Sequence, residues 1–384
     1  DNGSIAEESV ITPPTSAEGG QRFGASLSHR NGTLAIGAPG HGTGDGAVYV
    51  YKNDAGWQYE TLLTAEVQEG ARMGMRITTD GNLIAASAPG VDKGNGAVVV
   101  FTRDGAAWQE SGVLRTQSEG TRLMFGAALT IASESIWVGE PGANEMAGAV
   151  HVFTMADDGW LRSGALAHEA IDGRDQFGAS IAVRDRVAII SASGDAYGEG
   201  AAVVFEKHNT EWTTAGMIYN VLPPVDPIVG NQIDCADGKA KDFDCENVDL
   251  VSFLPNMDIE MGRGVRLNDV WGWTDPDSGR EYALIGTMEE TIFLDLGDPE
   301  NPIYHGQLEK TEGSRGNTWR DIKTYNNHAF IVADGAGAHG MQVFDLTQLR
   351  DVKNPPVRFE ATALYTGIAS SHNIVINEDT GFAY

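Results

Sequence analysis

Four landmarks recur in one register along the first 220 residues, and no other feature limits the fold as severely. Phe23-Gly24-Ala25-Ser26, Met73-Gly74-Met75-Arg76, Phe125-Gly126-Ala127-Ala128 and Phe177-Gly178-Ala179-Ser180 follow one another at steps of 50, 52 and 52 residues. Ala38-Pro39-Gly40, Ala88-Pro89-Gly90, Glu140-Pro141-Gly142 and Ala192-Ser193-Gly194 keep the same steps. So do the apolar runs that begin at Gly46, Gly96, Gly148 and Gly200, and Trp57, Trp108, Trp160 and Trp212 close the units. A repeat of this length is one supersecondary unit that buries its faces only against its neighbours.

Each unit reads as four short strands. In the first, Ala25–His29 and Leu34–Gly37 flank an Asn31-Gly32 hairpin turn, Gly46–Tyr51 follows, and Trp57–Thr64 is a polar outer strand. Four strands in about 50 residues is the pattern of a β-propeller blade. The four tryptophans read as apolar wedges between blades. Glu8 to Thr12 precedes Phe23 much as Glu60 to Thr64 precedes Met73, so residues 8–13 are expected to form an outer strand of a blade completed elsewhere in the chain.

After residue 220 the pattern changes. A proline-rich connector from Val221 to Pro227 leads into a loop holding Cys235 and Cys245, with Asp234, Asp237, Asp242 and Asp244 around them. A loop disulfide in an oxidising compartment is the expected state, two cytosolic thiols the other reading. The acidic cluster could hold a cation, though an exposed acidic loop is commoner. A second repeat family begins with Asn268-Asp269-Val270-Trp271, Arg320-Asp321-Ile322-Lys323 and His372-Asn373-Ile374-Val375, at steps of 52. Each precedes an apolar strand. The expected fold is therefore all-β: a β-propeller of about seven four-stranded blades, the last truncated. Its divisions are four blades over 1–220, connector and cysteine loop over 221–250, and further blades over 251–384. The unpaired outer strand favours one continuous array, although the connector also reads as a domain boundary. Asp1 is not Met and Gly381–Tyr384 reads as a strand, so the chain is expected to be a mature or excised piece of a longer protein.

Composition excludes several functions. A net charge of −28 argues against binding nucleic-acid backbones or an anionic membrane surface. No apolar run reaches the ~18 residues that span a bilayer. The chain lacks a Gly-x-Ser-x-Gly elbow, a His-Glu-x-x-His pair and a phosphate-binding Gly-Lys-Ser/Thr loop. One constellation stands out. Asp269, Asp321 and Asn373 share a register at the starts of successive innermost strands, which in a propeller surround the central channel. Arg320 and His372 adjoin them, and His339 lies on a neighbouring Gly-rich turn. These six residues are the candidate ligand site, with Asp269 and Asp321 the candidate metal ligands. The competing reading makes them caps for strand-end backbone groups.

The Phe-Gly and Ala-Pro-Gly landmarks make residues 20–220 resemble FG-GAP repeats, the blades of integrin α-subunit heads and many bacterial surface proteins. Met73 and Ala192-Ser193-Gly194 depart from that pattern. Many such repeats carry an Asp-rich calcium loop. Here the loops hold only Asp45, Asp92 with Asn95, Asn144 with Glu145, and Asp195 with Glu199, short of the six to eight oxygens calcium takes. They read as solvated carboxylates, and calcium is the only cofactor kept in view. Residues 231–384 resemble the LVIVD-repeat propeller of bacterial choice-of-anchor B proteins, through Asn268-Asp269-Val270-Trp271-Gly272-Trp273, Trp319-Arg320-Asp321-Ile322-Lys323, His339 to Leu346 and Ser371-His372-Asn373-Ile374. That resemblance implies export, display at the cell surface and no established catalysis. The expected function is extracellular binding or adhesion to a protein or polysaccharide. The alternative is a metal-dependent propeller hydrolase or lyase working through the channel carboxylates.

Overall fold

The computed structural model describes residues 10–14, 20–105, 107–171, 173–221 and 223–384. The fold is all-β and propeller-like, built from four-stranded antiparallel sheets that follow the repeats. The chain divides into two compact units, Asp1–Val221 and Leu222–Tyr384. Among the described residues no helix is long and apolar enough to cross a membrane.

Among the described residues the first unit holds four blades. The first comprises Leu27–Arg30, Thr33–Ala38, Ala47–Asn53 and Trp57–Leu63, each strand antiparallel to the next. Asn31 and Gly32 turn with φ of 48° and 77°, the left-handed pair that a tight hairpin needs. The other three blades end in Ala107–Arg115, Gly159–Leu166 and Glu211–Tyr219. Their cores are shared between neighbours. Val48, Val50 and Leu63 of the first blade pack with Met73, Ile84 and Phe101 of the second. Val98 and Val100 pack with Phe125 and Ile136, and Trp137 and Val150 with Phe177 and Val203.

The landmarks are the contacts that join blades. The backbone N–H groups of Met73, Phe125 and Phe177 each donate at 2.8 Å to the preceding blade, to the carbonyls of Asp45, Asn95 and Ala147. The glycine that follows has φ near +90° and lies against the neighbour's backbone. A Cβ on Gly139 would sit 1.9 Å from the Gly178 carbonyl oxygen, so only glycine allows that approach. Three of the closing tryptophans act between blades as expected: Trp160 Nε1 donates to Ser111 Oγ of the previous blade at 3.2 Å, Trp108 Nε1 reaches Glu60 at 3.4 Å and Trp212 lies edge-on to Trp137. Trp57 instead packs within its own blade against His29.

The expected strand over residues 8–13 is corrected. Residues 8 and 9 lie outside the described residues, and 10–13 form no strand. Ile11 instead packs on the apolar face of the first blade, and the Thr12 carbonyl accepts from Tyr51 Oη at 2.9 Å.

In the second unit, one sheet runs Leu267–Thr274, Glu281–Thr287, Glu290–Asp295 and Ile303–Glu309. A second runs Arg320–Tyr325, His328–Ala333, Met341–Asp345 and Ala363–Tyr365. Between its last two strands the chain detours, and Val357–Phe359 adds to the first sheet beside Ile303–Glu309 in parallel. Gly306 permits this, since a Cβ there would lie 1.8 Å from the Val357 carbonyl oxygen. Leu284, Phe293 and Leu308 of one sheet pack with Ile322, Ile331 and Phe344 of the other. Cys235 and Cys245 form a disulfide in the loop that precedes these sheets.

Candidate functional site

The first strands of the two sheets begin with the repeated polar pair, and the structure joins them side by side. Asp269 Oδ2 accepts from the Ile322 backbone N–H at 2.9 Å, and Asn268 Oδ1 accepts from the Arg320 N–H at 2.8 Å. One repeat later, Asp321 Oδ2 accepts from the Ile374 N–H at 2.6 Å, while its Oδ1 holds Lys323 Nζ. Among the described residues no three His, Cys, Asp or Glu side chains are placed to share a metal ion. The Asp269 and Asp321 carboxylates, the candidate metal ligands, each accept a backbone N–H: that of Ile322 on the edge strand, and that of Ile374 ahead of the short strand Ile376–Asn377. Asn373 lies exposed outside any strand and does not join them.

Arg320 and His339, 19 residues apart, do meet. Arg320 is buried; its Nε donates to the Thr287 carbonyl at 3.0 Å and its Nη1 lies 3.1 Å from His339 Nε2. His339 Nδ1 faces the Gly340 carbonyl at 3.1 Å and must donate to it, which leaves Nε2 as the acceptor for the guanidinium. Burial, reinforced by the Arg320 charge, lowers the His339 pKa to about 4. Burial likewise lowers Arg320 to about 10, against the pull of Glu289 and Glu290. Glu290 is itself pushed up by burial and then by Glu289, which pairs with Lys310. With both ring nitrogens engaged, His339 is a neutral structural group, with no lone pair left for a substrate proton.

His372 goes elsewhere. It is exposed, its Nδ1 lies 2.9 Å from Asp334 Oδ2, and its ring sits 5.7 Å from Trp319. Ser370 Oγ, with one proton to give, lies 3.1 Å from the Ala333 carbonyl oxygen and 3.2 Å from Asp334 Oδ1, and shares it between them. Hydrogen bonds from His372 first, then Ser370, hold the Asp334 carboxyl below the usual carboxylate range. Trp319 is 55 % exposed. On the first strand of the other sheet, Trp271 is 39 % exposed, with Lys323 Nζ 4.2 Å from its ring centre and its Nε1 donating to Thr324 Oγ1. Sequence reasoning treated both indoles only as repeat markers. The available signal was their position beside the polar strand starts, away from the alternating apolar run. An indole face next to carboxylate, imidazole and hydroxyl groups offers a flat apolar platform with polar edges, suited to stacking on a sugar ring or anchoring a polar peptide.

The third blade of the first unit holds a buried polar pair that the repeats did not predict. His151 Nε2 lies 2.7 Å from Glu140 Oε2, which also accepts from Ser118 Oγ at 2.8 Å. Neighbouring blades carry Ala88 with Val99 and Ala192 with Val203 in these registers. Burial pushes the Glu140 carboxyl up, but hydrogen bonds from His151, Thr116 and Ser118 outweigh it and hold the pKa low.

The acidic loops of the first unit find internal partners. Asp45 Oδ1 accepts from the Gly70 N–H at 2.8 Å, Asp92 pairs with Arg115 at 2.9 Å, and Asn95 donates to the Gly120 carbonyl. In the cysteine loop, Asp244 pairs with Lys239, and Asp234 accepts from Gln232 at 3.1 Å.

No family model and no curated protein matches the chain. Among solved structures it is similar to a protein from Lactobacillus plantarum, at 10 % identity and a TM-score of 0.38, over 91 % of this chain and 86 % of that one. It is also similar to PorZ, a bacterial surface component of the type-IX secretion system of Porphyromonas gingivalis, at 12 % identity and a TM-score of 0.37. That match covers 95 % of this chain and 39 % of PorZ.

Proposed function

We propose that this chain is an extracellular binding protein, displayed at a bacterial cell surface, that recognises a polysaccharide or protein. In this reading its blades are of FG-GAP-like and then LVIVD-like type. The observation that carries it is the pair of solvent-facing indoles, Trp319 beside His372 and Asp334, and Trp271 beneath Lys323. Large aromatic side chains held at the surface by polar neighbours are what a recognition surface needs and what a core does not. The disulfide supports an oxidising compartment. The hydrolase or lyase alternative would draw on Asp269 and Asp321 as metal ligands; that each already accepts a backbone N–H favours the binding reading.

The test is a binding screen of the purified chain against bacterial surface polysaccharides and extracellular matrix proteins, followed by Trp319→Ala and Trp271→Ala. A hit weakened about tenfold or more by either variant, at unchanged thermal stability, supports the reading. Binding untouched by both variants, or no hit in either class, overturns it.

A further inference from the structure

In the second unit a groove of about 460 Å³ opens beside Ile303–Glu309 and the segment leading away from Val357–Phe359. Leu308, Phe359 and Leu364 give it apolar walls. Gln342, on Met341–Asp345, also lines it and is only 3 % exposed. Its Nε2 donates to the Glu309 carbonyl at 2.8 Å. That contact settles the amide's orientation, because the flipped form would set oxygen against oxygen. Gln342 Oε1 is left buried, with no hydrogen-bond partner among the described residues. A buried acceptor without a donor is disfavoured, so the groove is short of one N–H or O–H.

The charges around it say which donor fits. Glu309 is paired with Arg358 at 2.5 Å, and Lys310 is paired with Glu289. Both cations of the lining are thereby neutralised. Glu312 and Glu360 also line the groove, are exposed, and have no cationic partner among the described residues. An acceptor at depth, apolar walls and two unneutralised carboxylates at the mouth match a cation carried on a hydrocarbon stem.

We propose that this groove binds a lysine or arginine side chain of a partner protein. One N–H of that side chain is donated to Gln342 Oε1, the positive charge lies toward Glu312 and Glu360, and the stem runs along Leu308, Phe359 and Leu364. Since Oε1 is shielded from water in the empty groove, the incoming group displaces a lining side chain. Leu364, 42 % exposed, can turn outward between rotamers. The inference rests on the binding reading above and narrows the partner to a protein that presents a basic residue, at a place apart from the indoles.

The experiment is saturation-transfer NMR on the whole chain, with the capped peptides Ac-Gly-Lys-Gly-NH2, Ac-Gly-Arg-Gly-NH2 and the uncharged isostere Ac-Gly-norleucine-Gly-NH2 as probes. The lysine or arginine peptide should bind about fivefold or more tightly than the norleucine peptide and lose that advantage in about 0.5 M NaCl. Gln342→Leu and Glu360→Gln should each weaken the cationic peptide about threefold or more. Glu360 is exposed, so its variant keeps the test open if Gln342→Leu fails to fold. Equal binding of the norleucine peptide, or cationic binding unmoved by Glu360→Gln, overturns the proposal. Trp319→Ala should leave peptide binding unchanged. A surface partner lost in the tryptophan variants, with no preference of the whole chain for the cationic peptides, fails the groove alone. Cationic peptide binding that Glu360→Gln weakens, with no tryptophan-dependent surface partner, fails the indole reading alone.

Discussion

Asp269 Oδ2 and the Ile322 backbone N–H, 53 residues apart in sequence, lie 2.9 Å from each other and join the first strands of adjacent sheets. Asp321 repeats the bond to Ile374. A repeated aspartate thus supplies the acceptor that the sheet edge lacks. Charge-assisted bonds of this kind are worth about 1.5–3 kcal/mol. Asp269→Ala should lower the unfolding free energy of the second unit by about that amount in urea titration. Asp269→Asn keeps an acceptor oxygen and should cost less than half as much. A larger loss with Asn than with Ala would contradict the backbone-acceptor role.

His339 makes stability depend on pH. Its folded pKa of about 4 lies below its ordinary value of 6.5, so between those limits the unfolded chain binds the extra proton. Stability of the second unit should be fully present above pH 6.5 and fall as pH drops toward 4, by roughly 3 kcal/mol at most. Arg320 and Lys310 add positive charge around the ring, while buried Glu290, whose pKa is raised, works in the opposite sense. His339→Asn can still accept from Arg320 but does not titrate. Urea midpoints measured across this range should show a shallower slope for the variant.

The Glu140–His151 pair predicts a non-additive double mutant. His151→Val alone leaves a buried carboxylate without its main partner, which should destabilise the first unit by about 3–5 kcal/mol. The double variant Glu140→Ala/His151→Val installs residue types that neighbouring blades carry in these registers, and should recover most of that loss. Additive losses in a double-mutant cycle would show that the pair is not coupled.

Two glycines should respond oppositely to alanine. Gly139→Ala places a methyl 1.9 Å from the Gly178 carbonyl and must push the third and fourth blades apart, costing about 3 kcal/mol. Gly216→Ala meets no atom within 4 Å, and the loss of unfolded-chain freedom should stabilise by about 0.4–1 kcal/mol. Thermal unfolding of both variants checks the pair of signs.

The blades were legible in one dimension because each is built from local antiparallel neighbours. The Asn31-Gly32 turn, the apolar runs and the glycines that let blades approach recur every 50 to 52 residues as the same short-range problem solved again. The Cys235–Cys245 bond was legible for the same reason, its partners being only 10 residues apart. What the polar residues do was decided in three dimensions. Asp269, Arg320, His339 and His372 could all be picked out as unusual, but their roles depend on which backbone group or side chain lies across a sheet boundary. Packing gave Asp269 to Ile322 N–H, buried Arg320 against His339, and turned His372 outward to Trp319 and Asp334. The detour that pairs Val357–Phe359 with Ile303–Glu309 has the same origin. Its partner strand lies some 50 residues back, and Gly306 becomes informative only once the two backbones are in contact. Residue type and spacing name the groups able to form hydrogen bonds and ion pairs; the direction each side chain leaves its strand, set by the packing of one sheet on the next, decides with whom they form.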